Sequence, residues 1–429
     1  MPETAEVTKV EQTADSVGLL RFATVGSVDD GKSTLIGRLL HDSRQIFADQ
    51  LEQVRDASER RGDDYLDLAL LTDGLRAERE QGITIDVAYR YFQTPRRRFI
   101  IADTPGHRQY TRNMVTGAST ADVALVLVDA REGVVEQSRR HAAVASLLGI
   151  PTLILCVNKM DLIDWDQATF DKVTDEFASV CEGLGYERRV AVPISALHGD
   201  NVVEGSDNTP WYDGQPLLEL LEEAPIAKGI TEQPSRFPVQ WVIRPSSAEH
   251  PDYRGYAGQI TSGTICTGDS VTVLPSGTPA TVAGIDAPEG SVDEAFAPMS
   301  VVVRLEEDVD VSRGSIIAAS DAPPQVVREL EAELCWMSES PLKAGGRYSL
   351  KHTTSTSRVV VDEVLAKLNL ESLQPEAASD GLELNDLGRV RLRLSNPIVV
   401  DPYATSRLMG AFILIDEATN DTVAAGMVS

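Results

Sequence analysis

The chain has 429 residues, 42% of them hydrophobic and 24% charged, enough apolar material for the cores of two to four domains of ordinary size. It carries 39 Lys and Arg against 66 Asp and Glu, a formal net charge of −27, spread along the chain rather than gathered in a tail. Such a surface repels polyanions and argues against extended nucleic-acid binding, while the absence of any apolar run as long as a membrane span argues against insertion in a bilayer.

Residues 1–17 are polar and acidic, without the basic-then-apolar order of a signal peptide, and read as a mobile leader of a cytoplasmic protein. Cys156, Cys181, Cys266 and Cys335 lie far apart with no Cys-x-x-Cys spacing. They read as small buried hydrophobes in a reducing compartment. From residue 18 to 229 apolar runs alternate with helical patterns, as in a mostly parallel sheet covered on both faces. The expected strands are 20–25, 87–93, 99–103, 123–129, 152–158 and 190–194, with helices over 109–119 and 136–148. In such sheets chemistry gathers at the carboxyl ends of the strands.

The first strand runs into Gly26–Ser33, GSVDDGKS, followed by a helical TLIGRLL. Strand, Gly-x-x-x-x-Gly-Lys-Ser and helix make a phosphate-binding loop. Gly26 and Gly31 let successive N–H groups face phosphate at a helix N-terminus. Lys32 is placed to reach the β- and γ-phosphates and the Ser33 hydroxyl to ligate Mg²⁺. The whole stretch Gly26, Ser27, Val28, Asp29, Asp30, Gly31, Lys32, Ser33 and Thr34 is the expected nucleotide contact. Between Leu40 and Gly82 a long insertion suggests one helix face at Leu51, Val54 and Ala57 and a second apolar element at 66–71. This element is either a solvated helix pair or a partner-facing device beside the nucleotide.

The strand ending at Asp103 is followed by Thr104-Pro105-Gly106-His107. An acid closing an apolar strand suits the second Mg²⁺ position, and Gly106 lets a backbone N–H approach the γ-phosphate and leave with it. The strand ending at Asn158 is followed by Lys159-Met160-Asp161. The Asp161 carboxylate can accept two hydrogen bonds from guanine N1 and N2, which adenine cannot offer. Asn158 is expected to read the far edge of the base, the Lys159 stem to pack on its face, and Ser195-Ala196-Leu197 to cover it. Three such motifs, each at a strand end, point to GTP.

Beyond a polar link, the pattern changes to short alternating strands with glycine turns, which read as two all-β barrels over residues 230–323 and 324–429. From residue 230 onward there are 15 Lys and Arg against 28 Asp and Glu. No second phosphate loop, zinc spacing or nucleophile elbow occurs there. His250, His352 and Asp286 read as barrel surface or core, and Arg96-Arg97-Arg98 and Arg389, Arg391, Arg393 as solvated or partner-facing clusters.

GSVDDGKST, GITID, DTPGH, NKMD and SAL, in this order, resemble the five motifs of translation-factor-type GTPases. The resemblance implies that Thr84 is a switch threonine ligating Mg²⁺, that His107 positions the attacking water, and that Val28 and Ile83 gate it. It also implies an elongation-factor-like architecture: an α/β P-loop GTPase domain and two barrels. The stretches DSVGLLRFATVGSVDDGKSTLIGRLLHDS, LTDGLRAEREQGITIDVAYRYF and FILIDEATNDTVAAGM resemble, more narrowly, the large GTP-hydrolysing subunit of bacterial sulfate adenylyltransferase. That family implies a separate small catalytic subunit that transfers adenylyl from ATP to sulfate, with this chain hydrolysing GTP. Some members continue into an adenylyl-sulfate kinase domain, an activity not expected of these residues. The competing readings are an elongation-factor-like carrier of aminoacyl-tRNA, disfavoured by the acidic barrels, and a self-contained sulfurylase, which no motif supports.

Overall fold

The computed structural model describes residues 18–43, 52, 54–55, 66, 68–71, 87–107, 111–225, 230–245, 253–369, 372–377 and 381–429. In chain order the first part comprises β1 (Leu19–Gly26), α1 (Lys32–Asp42), β2 (Ala88–Gln93), β3 (Arg98–Asp103), α2 (Thr111–Ala118) and β4 (Val123–Asp129). It continues with α3 (Glu136–Leu147), β5 (Thr152–Asn158), α4 (Gln167–Val180), β6 (Arg188–Pro193) and α5 (Leu217–Glu223). The six strands form one sheet in the order β2-β3-β1-β4-β5-β6, parallel except for β2. Every residue of β4 and β5 is buried, because helices cover both faces.

Side-chain alternation splits this domain's core in two. Val123, Leu125 and Leu127 point to the face where Leu35, Ile36 and Leu39 of α1 and Leu217 and Leu221 of α5 pack. Ala124, Val126 and Val128 point to the other, against Ala142 and Val144 of α3 and Phe170 and Val173 of α4. Two of the expected helices begin and end within two residues of the observed ones. Of the insertion, Val54 is buried and a 3₁₀ turn spans Leu68–Leu71. A Cβ on Gly37 would lie 2.3 Å from the Leu68 carbonyl oxygen, so that turn lies directly on α1. Leu51, Ala57, Ile83 and Thr84 lie outside the described residues.

The remaining strands close two antiparallel barrels. In the first, β7 (Arg236–Ile243), β8 (Gly255–Gln259), β10 (Ser270–Leu274), β11 (Thr278–Ala287), β14 (Ser300–Leu305) and β15 (Ile316–Ala319) run β10-β15-β7-β8-β14-β11, and β10 pairs β11 to complete the ring. Short β9 (Thr264–Cys266), β12 (Gly290–Val292) and β13 (Glu294–Phe296) decorate it. In the second, β16 (Gln325–Trp336), β17 (Arg347–His352), β18 (Ser355–Leu368), β20 (Leu387–Val400), β21 (Ala411–Ile415) and β22 (Thr422–Val428) close through β17–β18, with β19 (Pro375–Glu376) at the margin. A one-turn helix α6 (Arg407–Gly410) precedes β21.

A single strand, β20, runs through Pro397. Its pairing with β16 skips between Val327 and Glu329, opposite the proline, which has no N–H to give the ladder. Arg389, Arg391 and Arg393 share one face of β20, as alternation requires. They are matched by Glu333, by Glu331 and Glu363, and by Asp362 on the two flanking strands. The stripe is a self-compensated ion-pair ladder. His352 is buried with Nε2 2.8 Å from the Met409 carbonyl oxygen, and Asp286 pairs with Arg304. His250 lies outside the described residues. Cys156, Cys181 and Cys335 are buried thiols, and Cys266 is half-buried.

The second barrel is fastened to the first domain. Its Cys335, Leu387, Tyr403 and Met427 belong to the same apolar cluster as α3. Tyr403 donates to the Leu148 carbonyl oxygen at 2.9 Å, and Arg407 donates to the carbonyls of Ala121 and Gly149. These acceptors at Leu148 and Gly149 are the orphan carbonyls just past the end of α3.

Candidate functional site

β1, β3, β4 and β5 are in register so that Gly26, Asp103, Asp129 and Asn158 close their carboxyl ends along one edge of the sheet. The loop after β1 turns through Asp29 at φ 66° and Gly31 at φ 91° before α1 begins. Gly31 is required twice, for its left-handed backbone and because a Cβ would sit 2.4 Å from Asn158 Nδ2. Lys32 is buried, its ammonium donating to the carbonyls of Gly26 at 3.0 Å and Ser27 at 2.6 Å. Burial pushes its pKa down, against the opposing pull of Asp103, Asp30 and Asp29. Among the described residues the ammonium's hydrogen bonds go to neutral carbonyls, an arrangement that an anion would complete.

Gly106 lies directly against this loop. A Cβ there would be 2.5 Å from both the Gly26 oxygen and Lys32 Nζ. The segment leading to it is fastened to β1: Thr24 Oγ1 donates to Asp103 at 3.3 Å, and Thr104 Oγ1 to the Thr24 carbonyl at 2.7 Å. Asp103 is buried and Ser33 half-buried. His107 is exposed.

Asn158 also braces the loops around the expected base position. Its Nδ2 donates to the Asp30 carbonyl at 2.8 Å and its Oδ1 accepts from the Ala196 N–H at 2.9 Å. Each end of the amide thus makes one backbone bond, bracing the phosphate loop against Ser195-Ala196-Leu197, with a second N–H and a second lone pair left for a base. Arg38 of α1 reinforces the brace by donating to the Ala196 and Leu197 carbonyls. Ser195 is fully buried, its hydroxyl accepting from the His198 N–H at 3.3 Å.

Lys159 sits at φ 64°, and its ammonium is held 2.9 Å from Asp129. Asp129 also takes Arg131 at 2.6 Å, and these partners hold its pKa down at about 2 in spite of burial. The Asp161 carboxylate is 3.8 Å from His198 Nε2. Asp129, Arg131, His198 and Arg38 lie beside these residues and are not among those the motifs point to; Asp30 is, though not for its buried carboxyl. For Asp129 a signal existed, since it closes the apolar run VALVLV as Asp103 closes its own. The Asp30 carboxyl accepts from the Ser27 N–H at 2.5 Å, and burial raises its pKa to about 6 against the pull of Lys32. Among the described residues no cluster of three His, Cys, Asp or Glu could hold a metal. A cation here would therefore be one shared with phosphate oxygens and hydroxyls, which fits Mg²⁺ and a donor set of Ser33, Asp103 and a third residue.

A strand–loop–helix phosphate cradle, an acid-ended β3 and a guanine-type loop after β5, followed by two closed barrels, define a P-loop GTPase of elongation-factor type. The family described as Elongation factor Tu GTP binding domain matches residues 18–226, and that described as GTP-eEF1A C-terminal domain-like matches residues 329–429. Over 96% of its length the chain is 50% identical to the sulfate adenylyltransferase subunit 1 of Tolumonas auensis and 49% identical to that of Saccharophagus degradans, covering 86% of each. It is 56% identical to the bifunctional enzyme CysN/CysC of Mycobacterium tuberculosis, of which it covers 67%. The chain belongs to the sulfate adenylyltransferase subunit 1 family.

Proposed function

We propose that this protein is the GTP-binding and GTP-hydrolysing subunit of sulfate adenylyltransferase. It couples GTP hydrolysis to the formation of adenylyl sulfate and pyrophosphate from ATP and sulfate, in sulfate assimilation. The observation that carries the reading is the packing of Gly106 on Gly26 and Lys32. It places the backbone that follows the acid-ended strand β3 against the phosphate loop, where the presence or absence of a terminal phosphate must move it.

The roles follow from position. Loop N–H groups from Gly26 to Thr34 face the phosphates, and Lys32 exchanges its carbonyl partners for β- and γ-oxygens. Asp161 takes the guanine N1 and N2 donors, with Lys159 on the ring face and Ser195, Ala196 and Leu197 over it. Ser33, Thr84 and Asp103 would hold Mg²⁺, directly or through water. When bound, that ion neutralises charge developing on the β- and γ-oxygens. His107 orients the attacking water. Adenylyl transfer breaks the α–β bond of ATP beside a second anion and needs its own cationic site. The chain holds one phosphate loop and acidic barrels, so that step belongs to a separate small catalytic subunit in the cytoplasm.

The test is pyrophosphate release dependent on both ATP and sulfate. This chain alone should hydrolyse GTP slowly and release none. Adding the small subunit should create the activity and accelerate GTP cleavage. Robust release by this chain free of small subunit would overturn the division of labour.

A further inference from the structure

In a doubly wound sheet both faces are normally roofed by helices, and among the described residues one corner of this sheet is not. On the face toward α2, three cross-strand rows run over β2, β3 and β1: Tyr89–Ala102–Ala23, Tyr91–Ile100–Arg21 and Gln93–Arg98–Leu19. α2 has eight residues, about 12 Å of helix, against about 20 Å for six-residue β3. It roofs the carboxyl half, where a Cβ on Gly117 would meet Thr104 at 2.8 Å. The amino half stays open as a hollow of about 200 Å³ lined by Arg21, Tyr89, Tyr91, Ile100, Gly117 and Thr120 among others. Tyr91 is 69% exposed and Tyr89 44%.

The charge of this corner runs against that of the molecule. The arginines of β20 are each paired with a carboxylate, whereas Arg98 on this face and Arg112 on α2 are exposed and form no ion pair among the described residues, and exposed Arg21 has only the buried Asp122 carboxylate near it. In a chain with net charge −27, guanidiniums with no ion pair among the described residues, flanking two exposed tyrosines, are the composition of a protein-binding hot spot rather than of a solvated face. Three such charges without lysines are too few to hold a polynucleotide against the long-range repulsion of the rest.

Resting on the function proposed above, we infer that this open sheet corner is where the small catalytic subunit docks, through a surface that presents carboxylates around an apolar side chain entering the hollow between Tyr89 and Tyr91. The placement gives the coupling a route. β3 forms the middle of the corner and ends in Asp103-Thr104-Pro105-Gly106, and α2 lies on Thr104. A partner seated on Tyr91, Ile100 and Thr120 therefore leans on β3, whose continuation through Gly106 meets the phosphate loop, and on α2, which packs on Thr104.

The experiment measures binding of the purified small subunit to the full chain by calorimetry, at two salt concentrations, for the parent, Tyr91→Ala and Arg98→Glu. Both positions are exposed and outside the nucleotide site, so GTP affinity of the isolated chain should stay within about twofold and report a folded protein. Each variant should bind the small subunit ~30-fold or more weakly, and Arg98→Glu should lose most of the salt dependence. Stimulation of GTP cleavage should fall in parallel. If the parent does not bind the small subunit at all, the proposed function fails and this inference with it. If the parent binds and both variants bind as well, the docking surface is elsewhere. If the variants instead lose affinity for RNA that the parent holds, the corner is a nucleic-acid site and the inference is overturned.

Discussion

At the scale of single residues, the most consequential finding is a carboxyl inside the phosphate loop. Asp30 is 3% exposed, accepts from the Ser27 N–H, and has its pKa raised to about 6 chiefly by burial. A carboxyl whose folded pKa exceeds the unfolded value favours the folded state when protonated. That contribution is complete below the unfolded value of 3.8 and is lost as pH rises through 6. Asp30→Asn keeps an oxygen acceptor for Ser27 and removes the titration. The variant should therefore gain stability relative to the parent as pH rises from 4 to 7, levelling off above 7 at up to about 3 kcal/mol in the first domain. Urea midpoints across that range, with nucleotide absent, test it. A constant difference between the two proteins would mean that Asp30 is not the group that titrates.

At the scale of elements, Asn158 shows how one buried amide joins two loops that are far apart in sequence. Asn158→Ala would strand the Asp30 carbonyl and the Ala196 N–H in a buried setting. At about 1–3 kcal/mol per unmet group, the first domain should lose roughly 2–6 kcal/mol, read as a lowered urea midpoint, and bound GTP should dissociate faster. An unchanged midpoint would show that the brace is dispensable. This brace was invisible to sequence reading because NKMD carries a base-recognition meaning that masks the backbone contacts the same amide can make. What was legible is whatever depends on local pattern. Apolar runs such as VALVLVD and TLILCVN gave their strands to the residue, because strands buried on both faces are continuous in hydrophobicity. The Gly31 requirement followed from the loop motif, although its second cause, the proximity of Asn158, needs the fold. The arginines of β20 were placed on one face by period-two alternation, but their neutralisation depends on which strands flank β20. That is a long-range fact: Glu331 and Asp362 lie about as far along the chain from them as any local rule could never reach.

At the scale of the whole molecule, stability and communication rest on how the barrels are joined. Arg236 of β7 and Asp401 after β20 form a bidentate pair between the two barrels, with Nε–Oδ2 at 2.8 Å and Nη2–Oδ1 at 3.2 Å. The arginine side chain is 6% exposed and the aspartate 13%. Leu274, Ile316 and Ala318 of the first barrel pack beside it on Val399 and Met409 of the second. Met409 also presents the carbonyl held by buried His352, so the joint is continuous with the second barrel's interior. Removing one partner of such a pair strands a buried charge, at a cost of about 3–5 kcal/mol. Arg236→Ala and Asp401→Ala should each separate the first barrel's unfolding from that of the second, splitting the calorimetric endotherm into resolved transitions. Replacing both partners by apolar residues of similar volume, Arg236→Met with Asp401→Leu, leaves no charge behind and should restore most of the lost cooperativity. In the double-mutant cycle the coupling energy should come out clearly favourable. If each single variant melts as the parent does, the apolar contacts alone hold the barrels together, and the ion pair only selects their orientation.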